Sequence, residues 1–157
     1  MNITSPDDEI TGSEDLISLA DVRARLAVLK PFHVEDTRTH ADLGAHASQD
    51  SAHDWISEQD DETWPDLEVV SYDEELDEQD ELRQLEAELT AMGTDNAVAI
   101  RASAWPDMAR DDAEGMYGAD ALAGLDAYID WDRYQADQAT DMTEIKFRGT
   151  DYYVSPR

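Results

Sequence analysis

Four histidines with carboxylates close by are the first residues in this chain that could do chemistry. His33, His40, His46 and His53 recur at intervals of seven, six and seven residues, among Asp36, Asp42, Asp50 and Asp54. On a helix, His46, Asp50 and His53 would share a face and could ligate a divalent metal. Metal-binding helices usually carry a tighter pair such as H-x-x-x-H, and this stretch has no firm helix signal. We therefore read these histidines as solvated polar residues and expect no metal.

Other catalytic signatures are missing. The seven glycines are scattered, and none falls in a G-x-G-x-x-G or G-x-x-x-x-G-K loop that would cradle phosphate. No G-x-S-x-G elbow occurs. There is no cysteine, hence no thiolate chemistry and no disulfide, which fits a reducing cytoplasm. Carboxylate pairs are so abundant that none stands out as a general acid and base. The expectation is a protein that is not an enzyme and needs no cofactor.

What remains is the carboxylate itself. Thirty-nine acidic residues face eleven basic ones, a formal charge of −28 on 157 residues. A small domain stays soluble with a net charge of roughly 2–8, so the excess asks for another reason. Between Thr39 and Leu82 there is no Lys or Arg, while sixteen Asp and Glu occur. Phosphate binding needs clustered Lys and Arg. The one modest basic group, Arg23, Arg25 and Lys30, is explained by an ordinary amphipathic helix, so nucleic acid is not an expected partner.

A fixed acidic surface can instead copy nucleic acid. Each strand of B-DNA carries a charge per ~3.4 Å of axis. Carboxylates three or four residues apart on an α-helix are spaced by ~4.5–6 Å. Several acidic helices laid along one surface can then approximate rows of phosphate. The candidates are Glu74, Asp77, Glu78, Glu81 and Glu88, then Asp107, Asp111, Asp112 and Glu114, then Asp130, Asp132, Asp137 and Asp141. Their partner would be the basic DNA-binding groove of another protein.

Elements must hold these side chains in place. Residues 1–14 are polar, with Pro6 and Gly12 as breakers, and are expected to be a disordered tail. Residues 15–30 form a helix by the spacing of Leu16, Leu19, Val22, Leu26 and Leu29, with Ser18 and Asp21 at capping-box spacing. Residues 31–63 are expected to be an acidic linker or arm, with Trp55, Ile56 and Trp64 as its candidate anchors. Residues 64–157 read as an acidic α+β domain.

Within that domain, 67–72 is a strand and 74–92 a helix capped by Ser71 with Glu74. Leu82, Leu85, Leu89 and Met92 make its apolar stripe, and Gly93 ends it. A short strand follows at 98–100. Pro106 opens a helix that Gly115 and Gly118 close, 119–125 forms another turn or a short helix, and another helix starts near Asp130. Residues 143–147 and 152–154 alternate around a turn, a hairpin signature. Trp105, Tyr128, Trp131, Phe147 and Tyr153 are assigned to the core. The fold class is α+β: a small antiparallel sheet with a C-terminal hairpin packed by acidic helices, plus a flexible acidic N-terminal arm. No apolar run approaches the ~18 residues of a membrane span. The first fourteen residues lack the basic and apolar regions of a signal peptide, so a cytoplasmic location is expected.

The last sixty residues carry a resemblance. Ala99-Ile100-Arg101, with Ser103 and Trp105, looks like a strand and the entry to an acidic helix, and Ala109-Arg110-Asp111-Asp112-Ala113-Glu114 like that helix. Tyr128-Ile129-Asp130-Trp131-Asp132-Arg133-Tyr134 and the run from Glu144 to Val154 look like a second acidic segment and a closing hairpin. In order and spacing, residues 97–157 resemble the antirestriction family of ArdA type. That resemblance implies an elongated α+β protein, often dimeric, whose acidic surface imitates bent double-stranded DNA. It implies occupation of the DNA groove of type I restriction–modification enzymes, as a counter-defence protein of a phage or mobile element.

Rival readings make different demands. An inhibitor of a CRISPR effector or another nuclease defence would use the same physics on another target. A salt-adapted domain would scatter its charge evenly and need molar salt to fold. An acidic interaction protein would prefer free basic proteins to DNA-binding enzymes.

Overall fold

The computed structural model describes residues 7–60, 62 and 66–156. The chain begins with β1 (Leu16–Ser18), which runs directly into α1 (Leu19–Val28). Ser18 makes the junction: its hydroxyl accepts from the Asp21 N–H, and the Asp21 carboxylate accepts from the Ser18 N–H. This is the capping box read from the sequence. Next come β2 (Phe32–Asp36), β3 (Asp42–His46), α2 (Gln49–Ser57), β4 (Leu67–Ser71) and the long α3 (Asp73–Thr90). β5 (Ala97–Arg101) is followed by α4 (Trp105–Tyr117), α5 (Ala119–Leu125), a 3-10 turn (Asp126–Tyr128) and α6 (Trp131–Ala139). β6 (Thr143–Phe147) and β7 (Thr150–Pro156) complete an α+β fold with two antiparallel sheets.

The larger sheet has the order β1-β5-β7-β6. Side chains alternate across it with a period of two. One face presents Ile17, Ala97, Ala99, Phe147, Tyr152 and Val154 to Leu82, Leu85 and Leu89 of α3 and to Leu19 and Val22 of α1. The opposite face presents Val98 and Ile100, with Leu16 and Tyr153 beside them, to Trp105 and Ala109 of α4 and Tyr134 of α6. Helices therefore cover both faces. Each fully buried leucine contributes about 2 kcal/mol, so the α3 stripe is a main source of stability. The β6–β7 turn consists of Arg148 and Gly149, both at positive φ (48° and 80°), as a two-residue hairpin matching the strand twist requires.

Several expectations change. The described part of 31–63 is not an arm. β2 pairs with both β3 and β4, giving a second sheet of order β3-β2-β4, and α2 packs against it. Val34 and Ala52 are its buried apolar residues. Gln79 of α3 donates to the Ala47 carbonyl at 2.9 Å, and the Tyr72 N–H donates to the Pro31 carbonyl at 2.9 Å. The second sheet is thereby tied to α3. Trp55 and Ile56 are half-buried; Trp64 lies outside the described residues.

The part of the 1–14 tail that is described is also ordered by burial. Ile10 is completely enclosed in the main core, and Glu14 is also buried. Residues 16–18, expected inside a helix, pair as β1 with β5. α3 begins after Tyr72 with no side-chain cap, so Ser71 does not serve as one; Asp73, Glu74 and Glu75 instead place negative charge at its N-terminus. Gly115 lies inside α4, and Gly118 at φ 90° ends it.

Candidate partner-binding surface

α3 turns its leucine stripe to the sheet and so turns Glu74, Asp77 and Glu88 to solvent. Asp73 and Asp80 join this outward row, at the same three- and four-residue steps. Their spacing carries the same signal as that of Glu74 and Asp77. Two predicted members of the row behave differently. Glu78 is only 6% exposed, and its carboxylate accepts from Arg25 Nε at 2.6 Å and Arg25 Nη2 at 3.1 Å. This paired contact raises the Arg25 pKa further above its ordinary value. Glu81 is half-buried and accepts from Arg148 Nε at 2.7 Å. Glu78 is thus a structural ion-pair member, facing inward rather than to a partner.

On the other side of the sheet, α4 exposes Asp107, Asp111, Asp112 and Glu114. Asp130 is the N-cap of α6 and accepts from the Arg133 N–H at 3.1 Å while remaining exposed. Asp132, Asp137 and Asp141 are exposed too, with Arg133 Nε 3.9 Å from Asp137. The indole of Trp105 donates to the Gln135 carbonyl at 3.1 Å, fixing α4 against α6. The predicted residues consequently do not form one patch. They form two acidic layers, α3 on one face of the sheet and α4 with α6 on the other.

The cations are mostly spent inside the molecule. Arg23 pairs with Glu86 at 3.1 Å, Arg25 with Glu78, Arg38 with Asp66 at 3.4 Å, and Arg101 with Asp15. Arg110 reaches Asp126 at 3.5 Å and lies over the Trp131 ring, and Lys146 reaches Asp151 at 3.5 Å. Arg148 bridges Glu9 at 2.6 Å and Glu81 at 2.7 Å, joining the N-terminal segment, α3 and the hairpin turn. Exposed carboxylates therefore far outnumber the cations beside them, although Asp137 has Arg133 as a neighbour.

A group that sequence patterns did not reveal is Glu14. Its carboxylate accepts from the Thr11 and Gly12 N–H groups at 3.0 and 2.9 Å and from the Thr11 hydroxyl at 3.0 Å. Burial alone would push its pKa up, but these donors together outweigh burial and hold it below the ordinary value. Its carbonyl accepts from the Tyr152 hydroxyl at 3.0 Å, and burial pushes that phenol up to about 12.

The histidines go to different places. His46 ends β3, while Asp50 and His53 lie on α2, so the shared helical face does not exist. His33 Nδ1 faces Asp42 at 2.7 Å, and His40 Nδ1 faces Glu35 at 2.9 Å. Among the described residues, no group of three metal-ligating side chains gathers. The groove between α3 and β6 is lined by Leu85, Ile145 and Phe147 with carboxylates, Gln84, Lys146 and Arg148, and holds no histidine or hydroxyl nucleophile.

Tyr128, assigned to the core from sequence, is 86% exposed, whereas Trp105 and Phe147 are buried as expected. Trp131 and Tyr153 are half-buried. Among the described residues no helix is long and apolar enough to cross a membrane. No protein-family model matches the chain, and no curated protein or solved structure matches it either.

Proposed function

We propose that this chain is a counter-defence protein of a phage or mobile element, acting in the host cytoplasm. It mimics double-stranded DNA and inhibits a host DNA-binding defence enzyme, a type I restriction–modification complex first among the targets. It works by occupancy, with no turnover. The observation that carries this reading is the division of charge: arginines committed to internal ion pairs, and carboxylates in outward helical rows. Glu74, Asp77, Glu88, Asp107, Asp111, Glu114, Asp132 and Asp137 would meet the Lys and Arg that otherwise hold phosphate. The resemblance of residues 97–157 to the antirestriction family of ArdA type points the same way. A CRISPR effector or another nuclease complex with a basic DNA channel would be met through the same carboxylates.

Complementary potentials accelerate encounter and weaken with ionic strength. A purified type I methyltransferase complex holding a fluorescent duplex of its recognition sequence should release that duplex as the protein is added. Release should require more protein as salt rises. Failure to displace the duplex from any basic-groove nuclease complex, or release indifferent to salt, overturns the reading.

A further inference from the structure

β6 (Thr143–Phe147) ends the order of the larger sheet and pairs on one side only, with β7. Its register shows which backbone groups stay open. A two-residue turn is closed by a hydrogen-bonded pair, here Phe147 with Thr150, and bonded and non-bonded pairs alternate along an antiparallel ladder. Ile145, opposite Tyr152, is therefore bonded to β7. Glu144, opposite Tyr153, and Lys146, opposite Asp151, point their N–H and C=O groups away from it. Among the described residues no other strand takes up that edge.

Alongside the edge lies the groove between β6 and α3, about 330 Å³ in volume, whose apolar lining is Leu85, Ile145 and Phe147. Its two cations are already held, Arg148 by Glu9 and Glu81 and Lys146 by Asp151 at 3.5 Å. Glu88 and Glu144 also line it, are exposed, and have no cation in ion-pair range among the described residues. These three features choose the occupant together. An open edge accepts an extended segment through its backbone, and the adjoining trough selects its side chains. A second copy would bring the same Glu88 and Glu144, and a duplex has no strand to add and carries phosphate; both meet like charge.

We infer that β6 takes up an extended segment of a partner protein as an additional strand, with an apolar side chain beside Ile145 and Arg or Lys flanking it. The observation that carries this is a backbone edge, so it stands or falls apart from the mimic reading.

The probe is a fluorescent peptide, Ac-Thr-Arg-Thr-Val-Thr-Arg-Thr-amide, which puts Val and both Arg on one face of a strand. Its control, Ac-Thr-Arg-Pro-Val-Pro-Arg-Thr-amide, has the same charge but lacks the N–H groups that face β6 when Val lies opposite Ile145. On the protein side, Lys146→Pro removes an outward N–H without breaking a bond to β7, and Lys146→Thr keeps that N–H while losing the same charge. Binding is read by fluorescence anisotropy at about 0.15 M salt, where attraction between distant charges is screened. Wild type and Lys146→Thr should bind the probe. The proline peptide, and Lys146→Pro with unchanged melting, should bind roughly tenfold more weakly, as the loss of one or two hydrogen bonds implies. Hydrogen exchange at the Glu144 and Lys146 amides of the wild type should slow when the probe is bound, a readout that needs no variant to fold. Equal binding of the two peptides, no binding of the probe, or unchanged exchange at those amides overturns the proposal. A dimer in sedimentation that Lys146→Pro abolishes gives the edge to a second copy and overturns it too.

Discussion

At the scale of single residues, the same side chain has opposite roles according to what reaches it. Glu74 and Glu78 lie one turn apart on α3, yet Glu74 is in water and Glu78 is buried against Arg25. Removing a carboxylate from a buried pair strands the guanidinium. Glu78→Gln should therefore lower unfolding stability by about 3 kcal/mol in denaturant titration, whereas Glu74→Gln should leave it nearly unchanged. Glu14 adds a pH dependence. Its folded pKa is depressed, so its stabilisation is complete above the ordinary glutamate value of 4.5 and is lost as pH falls below it. Glu14→Gln should cost about 2 kcal/mol at neutral pH, and the gap between variant and wild type should close as melting is followed below pH 4.5. Neither role is visible in a linear reading. The partner of Glu78 is 53 residues away, and the donors to Glu14 are backbone groups that every sequence has.

At the scale of elements, what sequence reveals depends on how much apolar surface an element buries. α3 was legible because three leucines on one stripe meet a sheet. The hairpin is legible because alternation flanks Arg148-Gly149-Thr150-Asp151, although only Arg148 and Gly149 make the turn and Thr150 already begins β7. β2 and β3 were not, because their sheet is held by Val34, a few half-buried side chains and polar contacts such as those of His33 and Asp36. Asp36 shows how polar chemistry replaces apolar burial there: the Arg38 N–H, with the Arg38 guanidinium, holds its carboxyl below the ordinary carboxylate range. β1 was read as helix because Leu16 and Leu19 fit a helical step, and only its pairing with Ile100 fixes it as strand. The candidate surface was legible to the same degree: composition marks the carboxylates, but the split into two layers follows from which side of the sheet each helix covers.

At the scale of the whole molecule, −28 charges on one small fold repel one another. Raising ionic strength from about 0.01 M to about 0.15 M shortens the screening length from about 30 Å to about 8 Å. The melting temperature should rise by a few degrees over that range and then level off. A chain that folds only in molar salt would instead match the salt-adapted reading. The two acidic layers share a single sheet as their spine, so the geometry of one is coupled to the other through the core.

That sheet also sets a clock on synthesis. Its order places β7, the last strand of the described chain, between β5 and β6, with Tyr152 and Val154 fully enclosed. A ribosome that has translated through α6 has made every acidic helix but neither strand of the hairpin. Leu16–Ser18 and Ala97–Arg101 then have half their sheet missing, and α3 has an incomplete surface to sit on. Pairing over such sequence separations is slow to close. The main core can accordingly close only once β7 has emerged, and a message cut short before β7 is expected to yield a chain without a completed core.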